Sequence, residues 1–242
     1  RKRIALIGAR GIGRHHANWW RAAGAEVCAV LGRTESTAQA SAETLRETLG
    51  IAAAPYADLH RMLEEQRPDI VDVCSAPEAH ADQIEAALRA GCDVLCEKPL
   101  YFDETWSVAA MTERAAELVV LSARQGRRLA MCSQYAVVAA EVLRWWREQT
   151  RAALPQRLEA VLCSPARGRA PCPPRTWIDL GPHLISVLQA IAPGGTAQIE
   201  SVESENGGHQ ARLHLTWEIL DGPRVSAVLM VNHREMEPAH ER

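Results

Sequence analysis

The chain has 242 residues, 47% of them hydrophobic and 24% charged, the make-up of a folded globular protein with one large or two modest domains, which excludes a disordered or collagen-like polymer. A net charge of -3 and a pI near 6.3 lack the basic excess of a nucleic-acid binder. No run reaches the roughly 18 consecutive apolar residues a membrane helix requires, and Arg1-Lys2-Arg3 leads into a strand rather than a signal-peptide core, so a cytoplasmic protein without a membrane partner is expected.

Ile4-Ala5-Leu6-Ile7-Gly8 is an apolar run closing on glycine and predicts a strand buried on both faces. A helix follows over 13–23 with Gly24 as its stop, then a second strand at Val27–Leu31 and a helix capped by Ser36 that ends at Gly50. A weak third strand near Ile51–Ala54, a helix over 58–66, a fourth strand at Asp69–Cys74, a helix over 78–90 and a fifth strand at Asp93–Glu97 come next. A long helix over 103–125 and a sixth strand at Leu129–Ser133 complete the series. Strands alternating with helices of this length give a parallel, doubly wound sheet, because each right-handed crossover lays a helix on one face. Residues 1–134 are therefore assigned to an α/β dinucleotide-binding domain.

Beyond Tyr135 the pattern changes, and 135–242 reads as a smaller α+β domain. It holds a helix over 139–150, a strand at Leu158–Cys163, an irregular Pro/Arg-rich stretch from Pro165 to Arg175, and a short helix beginning near Asp179. Strands at Ala197–Glu203, Gln210–Ile219 and Arg224–Val231 follow, the last two joined by the turn Asp221-Gly222-Pro223 into an antiparallel hairpin. Leu213, Leu215, Trp217 and Ile219 alternate along one strand, either as an oligomer surface or as cover for the domain's own helix. The final ten residues read as a frayed end.

Seven cysteines, several of them (Cys28, Cys74, Cys96, Cys132) inside apolar strand-like runs, suit reduced, buried thiols. Cys92 and Cys96 have no second Cys/His pair at metal-ligand spacing, so no metal site is expected. His15, His16 and His60 are assigned to solvent-facing or capping positions, the Trp19-Trp20 and Trp145-Trp146 pairs to packing, and Trp177 to a pocket wall. Among 27 Lys and Arg residues the only lysines are Lys2 and Lys98.

Three places carry chemistry. Gly8-Ala9-Arg10-Gly11-Ile12-Gly13 lies directly after the first strand and opens the first helix, where glycines let backbone and helix N-terminus approach a pyrophosphate; Arg10 replaces the usual middle glycine and can reach a phosphate. At the tip of the second strand an NAD site places an acid for the ribose hydroxyls. This chain has Gly32-Arg33-Thr34-Glu35-Ser36 instead, and Arg33 with the hydroxyls of Thr34 and Ser36 can hold a 2′-phosphate by charge-assisted hydrogen bonds; NADP(H) is favoured over NAD(H). Glu97-Lys98-Pro99 ends the fifth strand, on the rim where open parallel sheets bind ligands. In an arginine-rich chain, a lysine there offers a compact ammonium that can orient or protonate a substrate oxygen.

The glycine turn followed by His15-His16, Ser75-Ala76-Pro77 with His80 after the fourth strand, and Glu97-Lys98-Pro99 together resemble the glucose–fructose oxidoreductase/inositol dehydrogenase (Gfo/Idh/MocA) family over residues 1 to about 134. The resemblance implies an N-terminal Rossmann domain, a C-terminal domain with a mostly antiparallel open sheet, and a homo-oligomer, dimer or tetramer. It implies cofactor contacts from Ser75, Ala76, Pro77, His80, Glu97, Lys98 and Gln134 beside those of the glycine turn. Asp179-Leu180-Gly181-Pro182-His183 is similar to the family's Asp-x-Gly-x-His; Asp179 and His183 at i and i+4 share a helical face, so Asp179 would tune His183 as acid/base while Lys98 polarises the substrate oxygen. Ser186 and the Gln134-Tyr135 pair stand where many members carry substrate-contacting residues of other types, and the second domain is short for the family. The activity implied is hydride transfer between nicotinamide and a hydroxyl/carbonyl carbon of a small molecule such as a keto-sugar or biosynthetic ketone. Imine reduction on the same scaffold and a non-catalytic NADP-binding sensor are the alternatives.

Overall fold

A computed structural model describes residues 1–168 and 170–234, so the end of the chain read above as frayed lies largely outside the described residues. The chain forms two compact units, Arg1–Cys132 and Ser133–Arg242. The first contains β1 (Arg3–Ile7), α1 (Ile12–Ala22), β2 (Glu26–Leu31), α2 (Glu35–Leu49), β3 (Ala54–Tyr56), α3 (Leu59–Gln66), β4 (Ile70–Val73), α4 (His80–Arg89), β5 (Asp93–Cys96), α5 (Val108–Arg124) and β6 (Leu129–Met131). Its strands form one sheet in the order β3-β2-β1-β4-β5-β6, every neighbouring pair parallel. Strand order reverses beside β1, so a crevice opens beyond the carboxyl ends of β1 and β4, the place where such sheets take ligands.

Alternation along β1 divides the core between the two faces. Ile7 packs with Leu31, Met62, Val73, Ile84 and Leu88, whereas Leu6 joins Ala17, Val30, Leu45 and Ile51 on the other side. Each such fully buried side chain contributes roughly 1.5–3 kcal/mol of transfer free energy. Local signals set the helix ends: Thr34 caps α2 and forms a reciprocal capping box with Thr37, Gly50 closes the same helix at φ 67°, and Ser107 caps α5. The start of α5 moves from the expected 103 to Val108 because Asp103 is engaged with Thr105 in a local turn. β3 begins three residues later than expected, where Ala54–Tyr56 align with Ala29–Leu31 of β2.

The second unit comprises α6 (Gln134–Thr150), β7 (Arg157–Pro165), α7 (Pro173–Ile191), β8 (Gly195–Glu205), β9 (Gln210–Ile219) and β10 (Arg224–Arg234). The sheet order is β7-β10-β9-β8, antiparallel except for the β7–β10 pair. Val225, Ala227, Leu229 and Val231 of β10 and Leu215 and Trp217 of β9 pack against Leu180, Leu184, Leu188 and Ile191 of α7, with Leu213 and Ile219 at the margin. The alternating residues of β9 thus cover the unit's own helix. In the Trp145-Trp146 pair only Trp146 packs on this core; Trp145 is exposed.

Two expectations need correction here. α6 starts at Gln134 rather than near 139. α7 starts at Pro173, six residues before Asp179: prolines fit the first turn of a helix, whose N–H groups lack intrahelical acceptors, so the end of the Pro/Arg-rich stretch is a helix start. Asp179 therefore sits mid-helix and is no N-cap. The glycine of the Asp-x-Gly-x-His pattern has a packing reason, since a Cβ on Gly181 would lie 2.1 Å from Cε3 of Trp177. Gly181→Ala is expected to displace that ring and cost about 1–3 kcal/mol of unfolding free energy, measured by urea titration; an unchanged midpoint would count against this packing role.

Candidate active site

The glycine turn follows β1 with Gly8 at φ 83° and Gly11 at φ 54°. A Cβ on Gly8 would come within 2.8 Å of the Cys74 carbonyl oxygen, and one on Gly13 within 1.9 Å of the Gly8 carbonyl oxygen. These glycines let β1, the tip of β4 and the first turn of α1 close on one another. No side chain caps α1 at Gly11, so apart from the Gly13 N–H, which donates to the Arg10 carbonyl at 3.1 Å, its first-turn N–H groups are left for an anion.

A cleft of about 410 Å³ opens at this point, lined by Gly8, Ala9, Arg10, Gly32, Arg33 and neighbouring residues. Of the residues singled out from sequence it gathers Gly8, Arg10, Arg33, Ser75 and Ala76; it adds Gly32, Thr37, Ser41 and Gln83, which sequence reasoning missed. The signal for Thr37 and Ser41 was their spacing, one turn apart on α2. Gly11, Ile12, Gly13, Thr34, Ser36 and Pro77 flank the cleft without lining it. Thr34 spends its hydroxyl on the helix cap, accepting from the Thr37 N–H at 3.2 Å, and Ser36 Oγ lies 3.2 Å from Thr34 Oγ1. At Gly32 a Cβ would meet the Ala38 amide nitrogen at 2.4 Å, so the start of α2 packs directly on the strand tip where an NAD-type acid would stand. Ser75 donates to Gln83 Oε1 at 2.6 Å.

His80 is placed elsewhere. Its ring is buried, with Nδ1 2.9 Å from the Pro99 carbonyl oxygen and Nε2 3.1 Å from that of Ser75. It ties the segment after Lys98 to the loop after β4.

The largest departure from the sequence reading is His16. Far from facing solvent, its ring is 2% exposed. Nδ1 lies 2.9 Å from Asp72 Oδ2 and Nε2 lies 3.1 Å from Glu97 Oε1. The Trp20 indole N–H donates to Asp72 at 2.6 Å, and the second Glu97 oxygen accepts the Lys98 backbone N–H at 3.2 Å. Burial alone would lower the His16 pKa, but hydrogen bonds with Asp72, Cys132, Cys74 and Glu97 outweigh it and hold the ring charged well above its ordinary range. Burial pushes the Glu97 carboxyl up, and His16 and Lys98 more than reverse that, leaving it below the usual glutamate value. Cys74 is driven the other way by burial, up to about 12. His16 with Glu97 and Cys132, and His16 with Asp72 and Cys74, bring ligand-type atoms within 4.8 Å of one another. Each ring nitrogen is already committed to a carboxylate, which accounts for both groups as an ion-paired cluster.

In the second unit, α7 presents Thr176, Asp179 and His183 on successive turns. The carboxylate of Asp179 meets His233 of β10, with Oδ2 3.2 Å from Nε2, while His233 Nδ1 lies 3.2 Å from Thr176 Oγ1. His233, which sequence reasoning did not single out, thus holds Asp179 across 54 residues of chain. The His183 ring meets Tyr135 edge-on at 5.0 Å, and Ser186 donates to the His183 carbonyl at 2.7 Å. Gln134 is exposed at the start of α6.

A six-stranded parallel sheet with a glycine turn at its switch point defines a nucleotide-binding Rossmann fold, and comparison with known proteins agrees. A sequence profile described as "Oxidoreductase family, NAD-binding Rossmann fold" (GFO_IDH_MocA) matches residues 2–132. The chain belongs to the Gfo/Idh/MocA oxidoreductase family. A D-glucoside 3-dehydrogenase of Escherichia coli (strain K12) is 35% identical over 131 residues, 53% of this chain and 33% of that protein. An inositol 2-dehydrogenase of Pseudomonas savastanoi pv. phaseolicola is 33% identical over 129 residues, 52% of this chain and 35% of that protein. The matched region therefore spans about a third of these curated relatives. Among solved structures, scyllo-inositol dehydrogenase from Lactobacillus casei, with bound NAD(H) and scyllo-inositol, superposes with a TM-score of 0.75 at 17% identity, covering 96% of this chain and 69% of that one. A UDP-N-acetylglucosamine 3-dehydrogenase from Acidithiobacillus ferrooxidans gives 0.72 at 21% identity, covering 99% and 72%. Among the described residues no helix is long and apolar enough to cross a membrane.

Proposed function

We propose that this chain is an NADP(H)-dependent oxidoreductase acting on a hydroxyl or carbonyl carbon of a small polyhydroxylated molecule, of the kind named for its dehydrogenase relatives. The observation that carries the reading is the cleft at the sheet's switch point, with its glycine turn and the Glu97-Lys98-Pro99 tip on the same rim. When bound, NADP(H) supplies or accepts the hydride. Gly8 and Gly13 bring the backbone close to the pyrophosphate, and Arg10 adds a cation beside it. Gly32 keeps an acid away from the ribose, so Arg33 is the group that holds a 2′-phosphate. Lys98 donates to the substrate oxygen and stabilises negative charge on it; His183, steadied by Tyr135, holds or accepts the proton. Asp179, fixed by His233, orients the α7 face on which His183 stands. The sheet face away from α6 and α7 carries Val161, Val228 and Met230, and is the expected surface for a dimer or tetramer, to be read by light scattering.

Quenching of tryptophan fluorescence tests the cofactor: NADPH is expected to bind more tightly than NADH. Arg33→Ala is expected to weaken NADPH about 10- to 100-fold, the loss of a charge-assisted contact of roughly 1.5–3 kcal/mol, and to leave NADH unchanged. A parent protein that prefers NADH would reject the 2′-phosphate assignment.

A further inference from the structure

We infer that His16 is a positioning residue for Lys98: the imidazolium clamped between Asp72 and Glu97 fixes the Glu97 carboxylate, and through it the backbone from which Lys98 leaves the sheet. The assignment to the reaction rests on the role proposed for Lys98, but the geometry does not. Asp72 is fully buried inside β4 and held by the Trp20 indole, so one end of the chain of contacts is anchored in the sheet. His16 stands on α1, three residues past Gly13 of the phosphate-binding turn. At the other end both Glu97 oxygens are used, one by His16 and one by the Lys98 N–H. Glu97 is half-buried with its side chain only 13% exposed, and a carboxylate so enclosed keeps one orientation only while its cation stays in place. His16 thereby links the glycine turn to the lysine tip, across a His16–Glu97 spacing of 81 residues, beside the tie that His80 makes between the segment after Lys98 and the loop after β4. A space-filling neutral residue at 16 would preserve the packing and lose the His16 link.

The composition provides the test. Lys2 and Lys98 are the only lysines, so amine modification read peptide by peptide reports Lys98 with Lys2 as internal control. In the 242-residue chain carrying His16→Asn, the Lys98:Lys2 modification-rate ratio is expected to rise about threefold or more, as the tip samples open positions. Cys28, buried in β2, should stay protected from a thiol reagent, which separates a loosened tip from general unfolding. An unchanged ratio with Cys28 protected overturns the inference. Should His16→Asn fail to fold, Asp72→Asn, which keeps the imidazole but releases its anchor, is read by the same criterion. The readout needs neither cofactor nor substrate, and NADPH binding to the same samples tests the cofactor reading separately, so either can fail alone.

Discussion

Replacing Lys98 with alanine is expected to cut turnover by about 10²–10⁴-fold, the usual range for a proton-transferring or hydrogen-bonding group, while NADPH still quenches tryptophan fluorescence. The ammonium is asked to stabilise charge on one substrate oxygen, an interaction that grows towards the transition state and so appears in kcat more than in affinity. Lys98→Arg should not restore the rate, because the guanidinium is larger, planar and cannot release a proton. His183→Ala is expected to lose a comparable factor. The measurement is a panel of inositols, glycosides and their keto forms with NADP+ or NADPH, run on parent and variants. Full turnover by either alanine variant removes that residue from the chemistry. A parent protein that binds NADPH and turns over nothing on the panel favours the non-catalytic reading.

His16→Leu is expected to cost roughly 3–5 kcal/mol of stability, because it leaves Asp72 and Glu97 buried without their common cation. The effect carries a pH signature. His16 has a raised folded-state pKa, so its contribution is complete below the unfolded histidine value of about 6.5. It declines as pH climbs above that towards the folded value, since the unfolded chain gives up the proton while the folded one keeps it. One proton's difference makes the slope at most about 1.4 kcal/mol per pH unit. Glu97 works in the opposite sense: its lowered pKa contributes stability above the usual glutamate value of 4.5 that is lost as pH falls through the folded value. Urea titrations from pH 6 to 9 should show parent stability falling with pH and the His16→Leu slope flattened. Parallel curves for the two proteins would argue that the ring is not charged.

What could be read from the sequence follows the range of the interactions. The glycine turn and Glu97-Lys98-Pro99 were legible because each directly follows a strand of the βα series, and that series alone carried the first unit's architecture. Arg33 was legible for the same reason, as a residue at a strand tip. His16 was not, because its partners lie 56 and 81 residues away. Its only local clue was helical phase: Gly13, His16, Ala17 and Trp20 share one face of α1, and the first three are buried. His233 escaped for a stronger reason, since its pairing with Asp179 depends on how β10 lies against α7 and nothing near either residue announces it. Asp179 and His183 share one helical face, as their spacing gives, and Asp179 Oδ2 also lies 3.2 Å from His233 Nε2, a contact that spacing does not give. The start of α7 was misplaced because Pro173 and Pro174 were assigned to an irregular stretch, at a position where they open the helix.

Gly32 limits how this nucleotide site can be altered. The peptide of Ala38 sits so near the strand tip that any side chain at position 32 must push the first turn of α2 aside. On the proposed NADP(H) reading, introducing an aspartate there to favour the non-phosphorylated dinucleotide is therefore a two-part redesign. The helix must be re-seated, by altering its cap at Thr34 or the small residues of its first turns, before a new carboxylate can reach a ribose. A single exchange at that position should cost stability first and change cofactor choice little, whereas neutralising Arg33 leaves the backbone where it is.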